Sequence, residues 1–531
     1  MKNESAFLSI RNKDEIWQRY CGFLELSTKE FMEIQESLLM EQMDILSGST
    51  LAKKLMNDII PDSVENFRNT VPLTTYEDYA PYFMEQKDEV LAEKALIWVH
   101  TSGRSGTFKW IPYSRFFYRR LIDNTIGAFI LTCASGKGEV NFKGGERAVC
   151  NIPALPYAAG IVVPGLVEET GFRIIPPLDI ADKMEFRERI EKGFAMALTT
   201  GIDMVGSLTS VLLKMGERFT EQSQGISFSL KMLKPPVLYR LLRAVLTAKL
   251  EKRGILPKDL WPVKGVFCIG TDTSLYREQI AYYWGKEPFE MYSATEVGNI
   301  AMQSWAKKAM SFVPYCSFLE FIPEDEWLKN RADGSYQPKT VLLDEVEKGK
   351  VYEIVATNFH GMPFLRYRLG DLVKIVDLKD EEAGINMPQM VFKARADDMV
   401  DIAGFARMDE KTLWQAINAT GVKYEDWTIR KEFTDRKPVL HLYIELKRNP
   451  DGGELKELLH SSLKAIDPFY KNLDEMLEIK PVEVTTLSSG TFNRYYQEKN
   501  AAGYDLAFLK PPHTNASEEM IETLLRCSKN I

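Results

Sequence analysis

Cysteine pairs, histidine clusters, long apolar runs and an excess of positive charge are all missing from this 531-residue chain. The six cysteines (Cys21, Cys133, Cys150, Cys268, Cys316 and Cys527) lie far apart with no C-x-x-C spacing, which argues against a disulfide scaffold and suits reduced thiols in a cytoplasm. The five histidines (His100, His360, His441, His460 and His513) show no H-E-x-x-H or paired-ligand spacing, so no structural zinc is expected. Nothing resembles G-x-S-x-G. No stretch approaches the roughly 18 apolar residues of a membrane span; residues 158–167, among the longest, already contain glycine and proline. The start, M-K-N-E-S-A-F-L-S-I-R-N-K-D-E, has no apolar h-region, so export is not expected and the location reads as cytoplasmic. With 67 Lys+Arg against 75 Asp+Glu the net charge is −8. That balance argues against nucleic acid or an anionic membrane as a broad partner and leaves only a local patch open.

What is present is an ordinary globular composition, 45% apolar and 27% charged, with length for two to four domains and a large core. Leu, Phe, Met and Ile at three- and four-residue spacings, without proline, predict helix over residues 13–48. Strands are predicted at 95–99, 147–152, 263–270, 318–322 and 351–357, and helices at 182–198, 205–217 and 274–284. The alternation argues for an α/β sheet. Residues 377–400 are charged and turn-rich, with Asp380-Glu381-Glu382 read as a solvated loop. Beyond them, a helix at 411–417, strands at 427–432 and 439–446 and a helix at 453–466 predict a compact α+β unit. The boundary is placed near Ala396, separating a domain of residues 1–395 from one of 396–531.

Three motifs are suited to chemistry. T-S-G-R-S-G-T-F-K (101–109) combines glycines that let backbone approach a polyanion, hydroxyl donors and a lysine. It is not G-x-x-x-x-G-K-[ST], and alone it reads more often as a plain loop. M-Y-S-A-T-E-V-G (291–298) sets an aromatic beside a hydroxyl and a carboxylate, a set able to stack a base, touch a phosphate and hold a hard cation; alone it is a strand end with one exposed glutamate. F-L-R-Y-R-L-G-D (364–371) ends in a carboxylate after a glycine, able to accept from a ribose diol, or else to form an Arg–Asp surface pair.

In this order the three resemble the adenylate-forming superfamily of acyl-CoA synthetases, luciferases and nonribosomal adenylation domains. More closely, the chain resembles the Gretchen Hagen three family of acyl acid amido synthetases, as a bacterial-type member. The resemblance covers residues 67–513. It rests further on F-R-N-T-V-P-L-T-T-Y-E-D-Y-A-P-Y (67–82), W-P-V-K-G-V-F-C-I-G-T, F-L-E-F-I-P (318–323), G-K-V-Y-E-I-V (349–355) and G-Y-D-L-A-F-L-K-P-P-H (503–513). It implies adenylate-forming enzyme architecture, a large N-terminal α/β domain with a small mobile C-terminal α+β domain. The hinge would be A-R-A-D-D-M-V-D-I-A-G-F (394–405), with Asp397 at the pivot.

The resemblance also implies ATP and Mg²⁺. Thr101, Ser102 and Ser105 would cradle the phosphates with Lys109 nearby. Tyr292 would lie against the adenine, Thr295 near the α-phosphate, and Glu296 would help hold Mg²⁺. Asp371 would accept the ribose hydroxyls, Arg395 would approach the nucleotide, and Lys510 would be delivered to the α-phosphate. The implied activity joins a small carboxylic acid, through acyl-AMP and release of pyrophosphate, to an amine or amino acid. The rival readings are transfer to a thiol of coenzyme A or a carrier protein, and a non-catalytic nucleotide or metabolite binder.

The chain also departs from the family. Arg104 replaces the threonine of the phosphate loop and would either clamp a phosphate bidentately, as a catalytic residue, or reshape the loop. Ser293-Ala294-Thr295 alters the middle of the second motif, and Phe508 and His513 replace a glutamine and an arginine. Thr491 stands where many superfamily relatives place a lysine, which favours Lys510 as the functional one. The helix predicted at 115–134 would line the acyl pocket.

Overall fold

The computed structural model describes all residues except 1–6, 8–9, 11, 102–108, 151–155, 182, 185, 223–233, 270–272, 397–398, 403–405, 448–451, 478–480, 502–512 and 530–531. The described residues form two compact units, one running to residue 394 and the other from 395 onward. Asp397, and so the expected pivot, lies outside the described residues.

In the first unit, β1 (Ile97–His100) and β2 (Trp110–Tyr113) form an antiparallel hairpin. The main sheet contains β3 (Arg147–Cys150), β4 (Arg173–Ile175), β5 (Met204–Leu208), β6 (Gly265–Ile269), β7 (Pro288–Ala294), β8 (Gly298–Gln303), β9 (Met310–Phe312), β10 (Ser317–Pro323), β11 (Val351–Asn358), β12 (Tyr367–Asp377) and β13 (Gln389–Arg395). Its spatial order is β10-β11-β12-β13-β9-β8-β7-β6-β5-β3-β4. Pairing is parallel from β4 through β3, β5 and β6 to β7, and antiparallel from β7 to β8 and β9. β7 is the seam between the two regimes. Helices such as Phe186–Thr200 supply the crossovers that parallel strands require.

Two helix predictions are corrected. Residues 205–217 are not one helix: Met204–Leu208 is β5, and the helix Thr209–Gln222 starts after it. A short apolar run buried between two parallel neighbours has no alternation to distinguish it from a helix. Residues 13–48 form two helices, Lys13–Cys21 and Thr28–Leu46, split by a 3-10 turn at Gly22–Glu25. Ser27 starts the second. Its hydroxyl accepts from the Glu30 amide, and the Glu30 carboxylate accepts from the Ser27 amide at 2.8 Å, a reciprocal cap.

In the second unit, β14 (Val400–Ile402) pairs with β15 (Ala406–Met408), and β16 (Tyr424–Thr434), β17 (Lys437–Leu446) and β18 (Val482–Leu487) form a three-stranded sheet. The β16–β17 turn, Asp435-Arg436, has φ of 50° and 62°, the left-handed pair whose twist matches a hairpin. The elements expected here are present, each longer by a few residues at most: helix Glu410–Ala419, β16, β17 and helix Gly452–Ile466. Glu445 accepts the amides of Gly490 (2.5 Å) and Phe492 (2.9 Å) at the start of helix Thr491–Ala501.

His513 stacks on Trp427 with ring centroids 4.5 Å apart. Its Nε2 is 3.0 Å from Asp426 Oδ1 and its Nδ1 2.6 Å from Glu410 Oε1. The bond to Asp426, with help from Glu410 and against the cost of burial, raises its pKa. A raised pKa contributes stability that is fully present below the ordinary histidine value of about 6.5 and is lost as pH rises through the folded value. The urea midpoint of the wild type should therefore exceed that of His513→Gln at pH 6, and the gap should close as the medium becomes alkaline. A gap independent of pH would show that the two carboxylates do not act through the ring's charge.

Candidate functional site

The site is built where β7 turns into β8. Gly298, with φ +78°, ends the turn; a Cβ there would lie 2.9 Å from the Phe117 ring and 3.2 Å from Cys316 Sγ, so neither the conformation nor the space admits a side chain. Three successive carbonyls of this turn are then fixed from three different strands or strand ends. Tyr113 OH donates to Thr295 O (2.9 Å), Asn358 Nδ2 to Glu296 O (3.1 Å), and Ser317 Oγ to Val297 O (2.9 Å). Burial pushes the Tyr113 phenol up, keeping it a neutral donor.

With its backbone held, Glu296 places Oε1 3.4 Å from both Lys109 Nζ and Tyr367 OH. Lys109 donates to Tyr367 OH at 3.0 Å, and its ammonium lies 5.2 Å from the Tyr76 ring centroid and 5.8 Å from that of Tyr367. The Tyr76 ring, the Tyr367 hydroxyl and one carboxylate thus hold the cation in place. Tyr76 OH donates to Trp110 O (3.2 Å) and accepts from Trp110 N (2.8 Å), which fixes the strand that begins right after Lys109. Burial, against the bond to Trp110, pushes its pKa up to about 12. At the other stem of the loop, Thr101 N donates to Lys109 O at 3.1 Å.

The third motif divides by function. Arg366 holds Glu320 with two bonds (3.0 and 2.9 Å) and donates to Arg68 O and Val71 O. Arg368 holds Glu353 with two more (3.0 and 2.6 Å). Neither touches the site. Tyr367 and Asp371 face it, and the Asp371 carboxylate accepts from Tyr292 OH at 2.6 Å. Between them β12 bulges opposite Glu353–Val355, with Gly370 at φ +69°.

The geometry therefore gathers Lys109, Tyr292, Thr295, Glu296 and Asp371, with Thr101 at the base of the glycine-rich loop. Ser102, Arg104, Ser105, Asp397 and Lys510 lie outside the described residues, and Arg395 closes β13. Sequence reasoning passed over Tyr76, Tyr113 and Tyr367. The first and last stood inside quoted motifs, but a tyrosine reads as core until its hydroxyl has a partner. Among the described residues no group of three His, Cys, Asp or Glu could enclose a metal ion.

Three domain descriptions match in order: GH3 family N-terminal domain over residues 21–139, central domain over 310–395 and C-terminal domain over 410–519. The chain belongs to the GH3 family. A jasmonoyl–L-amino acid synthetase of Nicotiana attenuata is 23% identical to this GH3 chain over 552 aligned positions, covering 92% of each. A jasmonoyl–L-amino acid synthetase of Oryza sativa subsp. japonica is 29% identical over 300, covering 52% of this chain and 50% of its own. A 4-substituted benzoates–glutamate ligase of Arabidopsis thaliana is 26% identical over 304, with 52% and 50% covered. The chain thus spans about half the length of the last two. Among solved structures, an acyl acid amido synthetase in complex with 2,4-DB aligns with TM-score 0.53 and 16% identity, covering 97% of this chain and 96% of that one. A 2-hydroxyisobutyryl-CoA ligase aligns with TM-score 0.57 and 13% identity, covering 94% and 99%. These two likenesses establish the fold, that of the adenylate-forming ligases.

Proposed function

We propose that this GH3 chain is an ATP-dependent acyl acid amido synthetase. The observation that carries the reading is the convergence at one turn of a paired Tyr292–Asp371 and a Lys109–Tyr367–Glu296 cluster beside a glycine-rich loop. That is a set with one end suited to a nucleoside and the other to its phosphates. In the first step a carboxylate oxygen of the acid bonds to the α-phosphorus of ATP and the bond to pyrophosphate breaks. In the second an amine attacks the acyl carbon, AMP leaves, and the amine gives up a proton.

Asp371 would accept the ribose hydroxyls, and Tyr292, oriented by its bond to Asp371, would offer its ring to the adenine. Thr295 would lie near the α-phosphate, and Thr101, Ser102, Ser105 and Arg104 would donate to the phosphate oxygens. Lys109 would balance their charge, as would Lys510 when brought to the α-phosphate about Asp397, with Arg395 approaching the nucleotide. Preorganised donors of this kind stabilise charge without reorganising as it develops. A lone carboxylate fits Mg²⁺, which keeps waters and takes most ligands from phosphate oxygens; Glu296 would hold it, and the ion would neutralise phosphate charge when bound.

Incubating the protein with ATP, pooled carboxylic acids and pooled amines should release pyrophosphate and yield an amide detectable by mass spectrometry. A thioester formed with coenzyme A in place of an amide would assign it to thiol ligation, and no acid-dependent pyrophosphate would make it a non-catalytic binder. In the same assay Asp371→Ala should weaken ATP binding by about ten- to a hundredfold, the worth of a charge-assisted hydrogen bond. Unchanged affinity would remove the ribose assignment.

A further inference from the structure

A surface helix that fills the core with one stripe is ordinarily polar on the other. Helix Pro235–Leu250 is apolar on both. Val237, Leu241, Ala244 and Ala248 are buried in the core with Trp261. The outer face repeats leucine every fourth residue: Leu238 is 39% exposed, Leu242 55%, Leu246 61% and Leu250 84%, with Tyr239 beside them at 69%. Around this stripe the charge is reversed from that of the chain as a whole. From Lys234 to Arg253 there are six cations and a single anion, Glu251. Arg240 is used within the fold, donating to Leu198 O and Thr199 O, and Arg253 is held by Asp259. Lys234, Arg243, Lys249 and Lys252 are exposed.

We propose that this helix docks the protein on an anionic lipid surface, lying in the plane of the interface with its leucine stripe at the acyl boundary. Leucines and a tyrosine bordered by exposed lysines and arginine are the composition of an interfacial helix; Tyr239 suits the headgroup layer, and the long basic side chains reach up to lipid phosphates. A second copy of the chain is the poorer occupant. A twofold contact along the stripe would bring Arg243 and Lys249 against the same cations of the partner. The overall charge of −8 says nothing against the surface, because screening limits each exposed charge to about 8 Å at physiological salt.

The test is co-sedimentation of the full chain with phosphatidylcholine vesicles, with and without phosphatidylglycerol, at low and high salt. The wild type should pellet with the anionic vesicles and release as salt rises. Leu242→Glu with Leu246→Glu should abolish pelleting. Arg243→Glu with Lys249→Glu should weaken it about thirtyfold or more, on a scale of roughly fivefold per cation near the surface. Both pairs of substitutions sit on exposed positions, so urea midpoints should match the wild type. A wild type that ignores the anionic vesicles, or variants that bind as it does, would overturn the proposal. So would a wild-type dimer in sedimentation velocity that Leu242→Glu with Leu246→Glu converts to monomer, since the stripe would then be a subunit interface.

Discussion

Glu296→Gln should lower acid-dependent pyrophosphate release by roughly a hundredfold or more, the scale of losing one preorganised electrostatic group, and leave the urea midpoint close to that of the wild type. The separation is possible because the residue's backbone and side chain have different tasks. Its carbonyl is held by Asn358 and the turn by Tyr113 and Ser317, none of which depends on the carboxylate. The carboxylate itself meets Lys109 and Tyr367 only at 3.4 Å, long for a hydrogen bond, so an amide of the same shape costs the fold little. The proposed reaction, by contrast, needs the full negative charge, because Glu296 would hold the Mg²⁺ that neutralises the phosphates. A variant as fast as the wild type would remove Glu296 from the mechanism; one that unfolds early would show that the pair with Lys109 is structural.

Arg366→Ala should cost about 3 kcal/mol of stability, because it removes the two-bond partner of Glu320, 1% exposed, and leaves that buried carboxylate only the Thr340 hydroxyl and the Arg68 guanidinium at 3.5 Å. The arginine does more than neutralise. Its guanidinium gathers Arg68 O, Val71 O and Thr340 Oγ1, and its backbone sits at φ 41°, a conformation that costs a non-glycine residue and persists because Thr357 Oγ1 and Thr74 N pin it on both sides. Replacing both partners together, Arg366→Met with Glu320→Leu, should recover much of the loss, since well-packed apolar residues often match a buried ion pair. The measurement is the urea midpoint at constant slope. A single variant within 1 kcal/mol of the wild type would mean that Arg68, already 3.5 Å from Glu320, takes over its charge.

The two arginines show what was legible in the sequence and what was not. R-Y-R-L-G-D stands out as a string, but only the resemblance carried by the three motifs together associates it with nucleotide chemistry; alone it reads equally as an Arg–Asp surface pair. Yet charge along a string does not say which residues face which way. Here the two arginines are taken up by the buried Glu320 and Glu353, Arg366 fully and Arg368 partly covered, while the tyrosine and aspartate reach the site, a division that polarity alone does not suggest. Thr295 and Glu296 were legible only through the family resemblance, since alone they read as a strand end with one exposed glutamate; the fold then sets Glu296 beside Lys109. Tyr76 and Tyr113 were not legible, since their roles arise from hydroxyls that find backbone atoms of Trp110 and Thr295, contacts invisible to periodicity. The strands followed the same rule. The longer β10 and β11 were legible as apolar runs bounded by turns, whereas three-residue β4 and β9 offer too few residues for any period to register.

Thr74 bonds through its hydroxyl to Leu365 O, 291 residues further along the chain, and its neighbours Tyr79 and Phe83 pack on Phe364. On a ribosome adding about 5–20 residues per second, the early segment waits roughly 15–60 s for that partner to be synthesised. Throughout that interval the rings of Tyr79 and Phe83 lack the aromatic neighbour that later covers them, and they present apolar surface of the kind that holdase chaperones bind. The lysine stem of the glycine-rich loop is in the same position, because Tyr367 does not yet exist to receive it. The cluster of Lys109, Tyr292, Glu296, Tyr367 and Asp371 is therefore among the last parts of the first unit to form, and no nascent fragment shorter than about 370 residues contains it.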